Sequence, residues 1–530
     1  MTEYFGKILM MLVLGSLSCT TAFANNLSVT NVAIGTRDPN AQTVTVNFNV
    51  SWQNSWRNKI NYDAAWITVH LNNSQVTPTT AVLCQITANG MNPAGTSAGN
   101  GPNMQIYVPQ DGTGAFLQPS TTGFVGNVNT QNVQLTINYG KCGFTNNDQI
   151  NATIFGLEMV FIPQGAFYAG DYSTSFASLN SGSTGTPWSI TTPNAIPVNS
   201  TSTYQYVSGG NPLEFPSTAT GGSSNTGFTI PAAFPNGYNA FYAMKYKINE
   251  GQWVEFVNSL PAAARINRDL SDNNHKNSTN VVGRNTVSCS GTPLLCSTND
   301  PARAVSYLSW MDLAAFLDWD AIRPMTELEF EKMARGPIPP NPGEYIWGNK
   351  IIAAASQISG AKEDGTETIM APANANANYG NGLLTGGDAA QGANYNQGPL
   401  RGGIFATNNS TRTSAGASYY GVMDLGGNLK EHVVTIGNAS GLAFAGSEGS
   451  GVLNATAGYE GNAINADWPG IDAGNSAYGV DGAAGSGFRG GSWIDAAKYL
   501  MTSDRTEAAR TDATAQNTYG GRGVRTYDGS

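Results

Sequence analysis

The chain has 530 residues and a formal net charge of -10. Nucleic-acid binders carry a basic footprint, and no Lys/Arg run occurs, which excludes nucleic acid as a partner. Only 12% of residues are charged, against roughly 25% in an average soluble protein, while 63 glycines and 10% aromatics argue for a folded, loop-rich, mostly β chain rather than a disordered one.

The N-terminus reads as a signal peptide over 1–24. Lys7 supplies the positive start, residues 8–17 form an apolar stretch too short for a bilayer, and Ala22-Phe23-Ala24 is a cleavage site. A lipid-bearing Cys19 is the rival reading, but Ser16 stands where such signals usually have Leu. No later apolar run approaches the ~20 residues of a transmembrane helix. The expectation is a secreted or cell-surface protein, extracellular or periplasmic, without a transmembrane segment. In that compartment Cys84, Cys142, Cys289 and Cys296 predict two disulfides, paired Cys84–Cys142 and Cys289–Cys296. Metal binding by these cysteines has less support, since no C-x-x-C occurs and the chain has 3 His.

Residues 25–155 alternate apolar and polar side chains, as half-buried strands do. Val44, Val46, Phe48, Val50 and Trp52 form one such run, and Ile67, Val69 and Leu71 another. Met104, Ile106 and Val108 repeat it, as do Val133, Leu135, Ile137 and Tyr139. The pattern predicts an antiparallel β-sandwich, with His70 on a strand surface. Residues 171–235 and 437–487 are rich in small and polar residues and read as long insertions. Their Trp188, Trp468 and Tyr478 pack locally or bind sugars, packing being the commoner fate.

Further on the period changes. Residues 241–246 read as a strand, and Asn249 caps a helix bearing Trp253, Phe256 and Val257. A second helix starts at Ser309, with Asp312 three residues on, and carries Leu313, Phe316, Leu317 and Trp319. A third opens on the capping box of Thr326 and Glu329 and stops at Gly336. The predicted class is α+β: a β-sandwich over 25–155, then a mixed α/β domain over 156–530.

An ordered set of segments then resembles one family. It runs from the strand 158–167 through Arg323-Pro324-Met325-Thr326-Glu327, Tyr345-Ile346-Trp347-Gly348-Asn349, Gly426-Gly427-Asn428-Leu429-Lys430-Glu431 and Phe488-Arg489-Gly490-Gly491-Ser492-Trp493 to Gly521-Arg522-Gly523-Val524-Arg525. Over roughly 156–527 the chain resembles the formylglycine-generating enzyme/sulfatase-modifying-factor family. The resemblance implies a C-type-lectin-like fold. The family's oxidase binds copper through two cysteines, soft thiolates that suit that metal. Counted from Ser492, those places hold Asp495 and Leu500, so no copper is expected. Iron held by histidines, used by other relatives, lacks a His cluster here. The resemblance also implies a structural calcium on Asn428, the carbonyl of Leu429 and Glu431, oxygen donors that suit a hard cation. Lys430 and His432 depart from the family's Trp, and a plain turn at Asn428 is the alternative.

Gly95-Thr96-Ser97-Ala98-Gly99 matches the nucleophile elbow, but it lies in a Gly/Asn/Ser-rich turn rather than between a strand and a helix. Asp495 and His432 would form an acid/base pair if they met. Non-enzymatic proteins of this fold display ligand surfaces on the stretch equivalent to 494–520. Here it carries Asp495, Ser503, Thr506, Thr511, Asp512, Thr514, Asn517 and Thr518; an ordinary solvated loop is the plainer reading. The expected function is non-enzymatic: extracellular assembly by self-association, or binding of other surface proteins or glycans. The alternatives are a monomeric lectin-like binding module, diversified or not, and a diverged enzyme.

Overall fold

The computed structural model describes residues 27–76, 81–87, 102–172, 178–180, 185–199, 202, 204, 227–360 and 366–529. The expected signal segment, the Gly95-to-Gly99 motif and much of the first insertion lie outside them.

Three long strands form one antiparallel sheet: β1 (Ser28–Asp38), β2 (Thr43–Arg57) and β6 (Phe124–Asn138), in the order β1-β2-β6. The larger sheet uses β3 (Asp63–Asn73), β4 (Met104–Tyr107), β5 (Ala115–Pro119), β7 (Ile150–Ile162), β8 (Phe241–Met244), β9 (Arg323–Pro324) and β13 (Gly523–Thr526). Its order is β9-β13-β8-β7-β3-β5-β4, with Val82–Leu83 added against β3. A small third sheet joins β10 (Lys430–Val434), β11 (Ser486–Arg489) and β12 (Tyr519–Gly520).

The alternation read in β2 is real: Val44, Val46, Phe48, Val50 and Trp52 are all buried. They share a core with Val133, Leu135 and Ile137 of β6 and with Ala65, Ile67, Val69 and Leu71 of β3. The other face of β3 is buried too. Ala64 and Trp66 enter the main core of the second half, with Phe155 and Leu157 of β7 and Phe316 and Trp319 of a helix. A period-2 strand can serve two cores at once only if both neighbours cover it. His70 is therefore not a surface residue: it is 3% exposed and stacks on Trp319 at 4.6 Å.

β7 joins the two halves. Its residues from Ile150 to Val160 pair antiparallel with β3, and Met159 to Ile162 pair with β8. The expected boundary at 155/156 falls inside this continuous strand, at the pairs Phe155↔Thr68 and Gly156↔Ile67. Side chains lock the seam. Trp66 Nε1 donates to the Asp320 carbonyl at 3.0 Å, and Thr68 Oγ1 to Asp320 Oδ1 at 2.7 Å. Lys245 bridges Asp63 and Glu158 at 3.4 and 3.0 Å.

The three helices start where their caps predict. α1 (Glu250–Ser259), α2 (Trp310–Trp319) and α3 (Glu327–Arg335) each open on a complete capping box, at Asn249/Gln252, Ser309/Asp312 and Thr326/Glu329. A cap of this kind contributes about 1 kcal/mol. Gly336 ends α3 at φ 68°, in the left-handed region that glycine tolerates. The insertion 437–487 packs on α2: Asp318 accepts from Ser450 N at 2.6 Å and Ile464 N at 3.0 Å. Trp188 and Trp468 are buried, and Tyr478 stacks on Tyr459 at 3.9 Å, so these aromatics pack locally.

Both cysteine pairs stand at bonding distance as expected. Cα atoms are 5.6 Å apart for Cys84–Cys142 and 3.9 Å for Cys289–Cys296. No helix among the described residues is long and apolar enough to cross a membrane.

Candidate functional site

The two positions at which the resemblance implies thiolate ligands, Asp495 and Leu500, lie beyond the Gly490-Gly491-Ser492 turn. Both glycines have positive φ, 81° and 63°, and a Cβ on Gly490 would collide with the Leu425 carbonyl. The turn presents Ser492, whose N and Oγ donate to Asp495 Oδ2 at 2.9 and 2.6 Å. Asp495 lies 3.6 Å from Lys430 Nζ, which also pairs with Glu507. Glu507 continues to Arg510 at 2.6 Å, and Arg510 to Asp512 at 3.1 Å. Tyr519 donates to Asp512 Oδ2 at 2.7 Å. One polar chain thus runs from Ser492 to Tyr519. Burial opposes ionisation of Glu507, but Lys430 and Arg510 outweigh it and hold its carboxyl below the usual range. Leu500 is fully buried, packed with Ile346, Leu425 and Phe330. An alkyl side chain in a core and a carboxylate tied to Ser492 offer copper no soft ligand.

His432 has other neighbours. It is 1% exposed and lies among the rings of Trp310, Phe488 and Tyr519. Its Nε2 donates to the Leu308 carbonyl at 3.1 Å, and burial pushes its pKa down to about 4. It is a neutral core residue at pH 7. Asp495 is engaged by Ser492 and Lys430, so the two have separate partners and form no acid/base pair.

The segment read as a calcium loop is a turn with positive φ at Asp424, Gly427 and Asn428. Asn428 ties loop segments together: Oδ1 accepts from Leu400 N at 2.7 Å and Asn378 Nδ2 at 3.1 Å, and Nδ2 donates to the Leu400 carbonyl at 3.0 Å. Glu431 points to a different set, Lys247 and Arg522. The structure does not bring these two side chains onto common partners.

Of the residues assigned to a ligand surface, Thr511 and Thr514 are exposed, and Asp495, Thr506, Asp512 and Asn517 are half-buried. Ser503 and Thr518 are buried, which corrects the expectation for both. Ser503 Oγ accepts from Arg335 at 3.0 Å, and the Thr518 carbonyl from Lys430 N at 2.9 Å. Short polar side chains look solvent-facing in sequence, yet the Ser503 hydroxyl serves the buried Arg335 guanidinium.

Sequence reading missed one cluster. Asp300, Glu367 and Asp388 are buried and their oxygens converge within 4.8 Å. Arg303 Nη2 stands among them, 2.7 Å from Asp300 Oδ2, 3.1 Å from Glu367 Oε1 and in contact with Asp388. A guanidinium therefore fills the place a cation would take. The members lie up to 88 residues apart in the chain, and no local pattern announces them.

This arrangement of short helices, small sheets around one larger sheet, and a glycine turn set over a polar chain defines a sulfatase-modifying-factor-like scaffold. A family model for the sulfatase-modifying factor enzyme 1-like domain matches residues 156–527, and the chain belongs to that family. No curated protein matches the chain.

Proposed function

We propose that this chain is a secreted, non-enzymatic member of the family that works through its outer surface, in extracellular assembly or in holding a partner. What stands at the two thiolate positions carries the reading. Asp495 is spent on Ser492 and Lys430, and Leu500 on the core. The scaffold is kept and the oxidase ligands are replaced.

We read the strands before 156 as a β-sandwich that adds contact surface. Its edge strand β1 supports the assembly reading. The strand pairs with β2 on one side, and Thr30 to Thr36 are exposed on both faces, with Val32 and Ile34 outward. Such an edge accepts a strand from a neighbour. Thr511 and Thr514, exposed beside the polar chain, support the second reading, a monomeric lectin-like binder.

Light scattering and electron microscopy of the exported protein separate the two. Ordered oligomers that disappear in a variant with Val32→Lys and Ile34→Lys support assembly. A strict monomer that binds a glycan or peptide, and loses it in Thr511→Ala/Thr514→Ala, supports the binder. Copper-dependent conversion of cysteine to formylglycine in a sulfatase peptide would overturn both and restore the enzyme.

A further inference from the structure

The family resemblance implies a structural calcium at Glu431, and the donors around that carboxylate test the fit. Glu431 is fully buried on β10. Its Oε1 receives Lys247 Nζ at 2.5 Å, Arg522 Nε at 2.8 Å and Arg522 Nη2 at 2.7 Å. The same Nζ donates to the Asp424 carbonyl at 2.6 Å. Arg522 is anchored further, to the carbonyls of Met244, Lys245 and Met423 at 3.0, 3.1 and 2.8 Å. The Lys247 ammonium thus sits between a carboxylate oxygen and a backbone carbonyl, the two donor types that a hard cation collects.

Charge decides between the two occupants. Glu431 and Asp424, both buried, bring two negative charges, and the equally buried Lys247 and Arg522 bring two positive ones. A divalent ion added to this balanced set would leave an uncompensated buried double charge, which a dry site disfavours strongly. Glu431 Oε2 meets no hydrogen-bond donor among the described residues. In a balanced site that oxygen suits a neutral donor rather than a further cation.

We propose that Lys247 is the built-in cation of this scaffold: its ammonium replaces the calcium that the family resemblance implies, so the turn from Asp424 to Glu431 is held without metal. The test uses the full-length protein, with elemental analysis after gel filtration and thermal melts in calcium or in EGTA. The expected wild type carries no stoichiometric calcium and melts at the same temperature in both. Lys247→Met, which leaves Arg522 alone on Glu431, is expected to melt several degrees lower in EGTA and to recover with millimolar calcium. Lys247→Arg should need no calcium. One calcium per chain in the wild type, lost in Glu431→Gln, overturns the proposal. So does a destabilised Lys247→Met that gains nothing from calcium, since Lys247 is then an ordinary buried ion pair. If Lys247→Met is insoluble, the calcium content and EGTA response of the wild type decide alone.

Discussion

Lys245 Nζ lies 3.0 Å from Glu158 Oε2, and both side chains are buried where the family domain meets the N-terminal strands. Asp63 of β3 shares the same ammonium at 3.4 Å. Two carboxylates therefore face one cation. Burial pushes the Glu158 carboxyl up to about 7, against the pull of Lys245 and with the repulsion of Asp63. Removing the cation leaves both acids without a counter-charge in a dry site, which costs about 3–5 kcal/mol. Lys245→Met is expected to lower the unfolding free energy obtained from urea denaturation by that amount. A variant within about 1 kcal/mol of wild type would show that the seam does not depend on this triad.

His275 gives the pH signature. Its Nδ1 lies 2.8 Å from Asp272 Oδ1 and its Nε2 2.9 Å from Asp312 Oδ2. Asp312 also caps α2 through Ser309 and pairs with Arg268 at 2.9 Å. Burial opposes the imidazolium, but Asp312 and Asp272 outweigh it and raise the pKa to about 10. A raised folded pKa stabilises fully below the unfolded value near 6.5 and is lost as pH rises toward 10. His275→Gln is expected to cost about 2–4 kcal/mol at pH 6, with the difference from wild type shrinking steadily up to pH 10. Denaturation curves at several pH values check the slope; a pH-independent difference removes the charged pairing.

The two cystine bridges close loops of different length, 58 and 7 residues apart in sequence. In the chain-entropy account the longer loop stabilises by about 4 kcal/mol and the shorter by about 2. Replacing Cys84 and Cys142 together by Ser should therefore lower the melting temperature more than the same change at Cys289 and Cys296. Scanning calorimetry of the two double mutants measures this, and the opposite order would contradict the loop-length argument.

The local signals were legible. Thr326 and Glu329 announce α3 because a capping box is written within four residues, and β2 announces itself by strict alternation. β3 misled for a physical reason. Its second face carries Ala64, Thr68 and His70 beside Trp66, small or polar groups that pass for solvent-facing. They are buried because Asp320 and Trp319, some 250 residues later, supply the partners. The same distance hides the charged core. Lys247 and Glu431 lie 184 residues apart, and nothing near either one predicts that they meet. The glycines beside Asn428 make a turn legible there, but its partners Leu400 and Asn378 belong to loops whose course the sequence does not reveal.

β7 also bears on how such a chain can be recombined. The family match begins at residue 156, the seventh position of a run of paired residues that extends from Ile150 to Val160. A fusion or exchange joint placed at that boundary would cut the strand and leave each part with an open sheet edge, one along residues 63–67 of β3 and the other along residues 156–160 of β7. The N-terminal strands are thus not a detachable cassette. A joint placed before Ile150 keeps β7 whole, and a graft made there must bring its own strand to pair with residues 150–160 in place of β3.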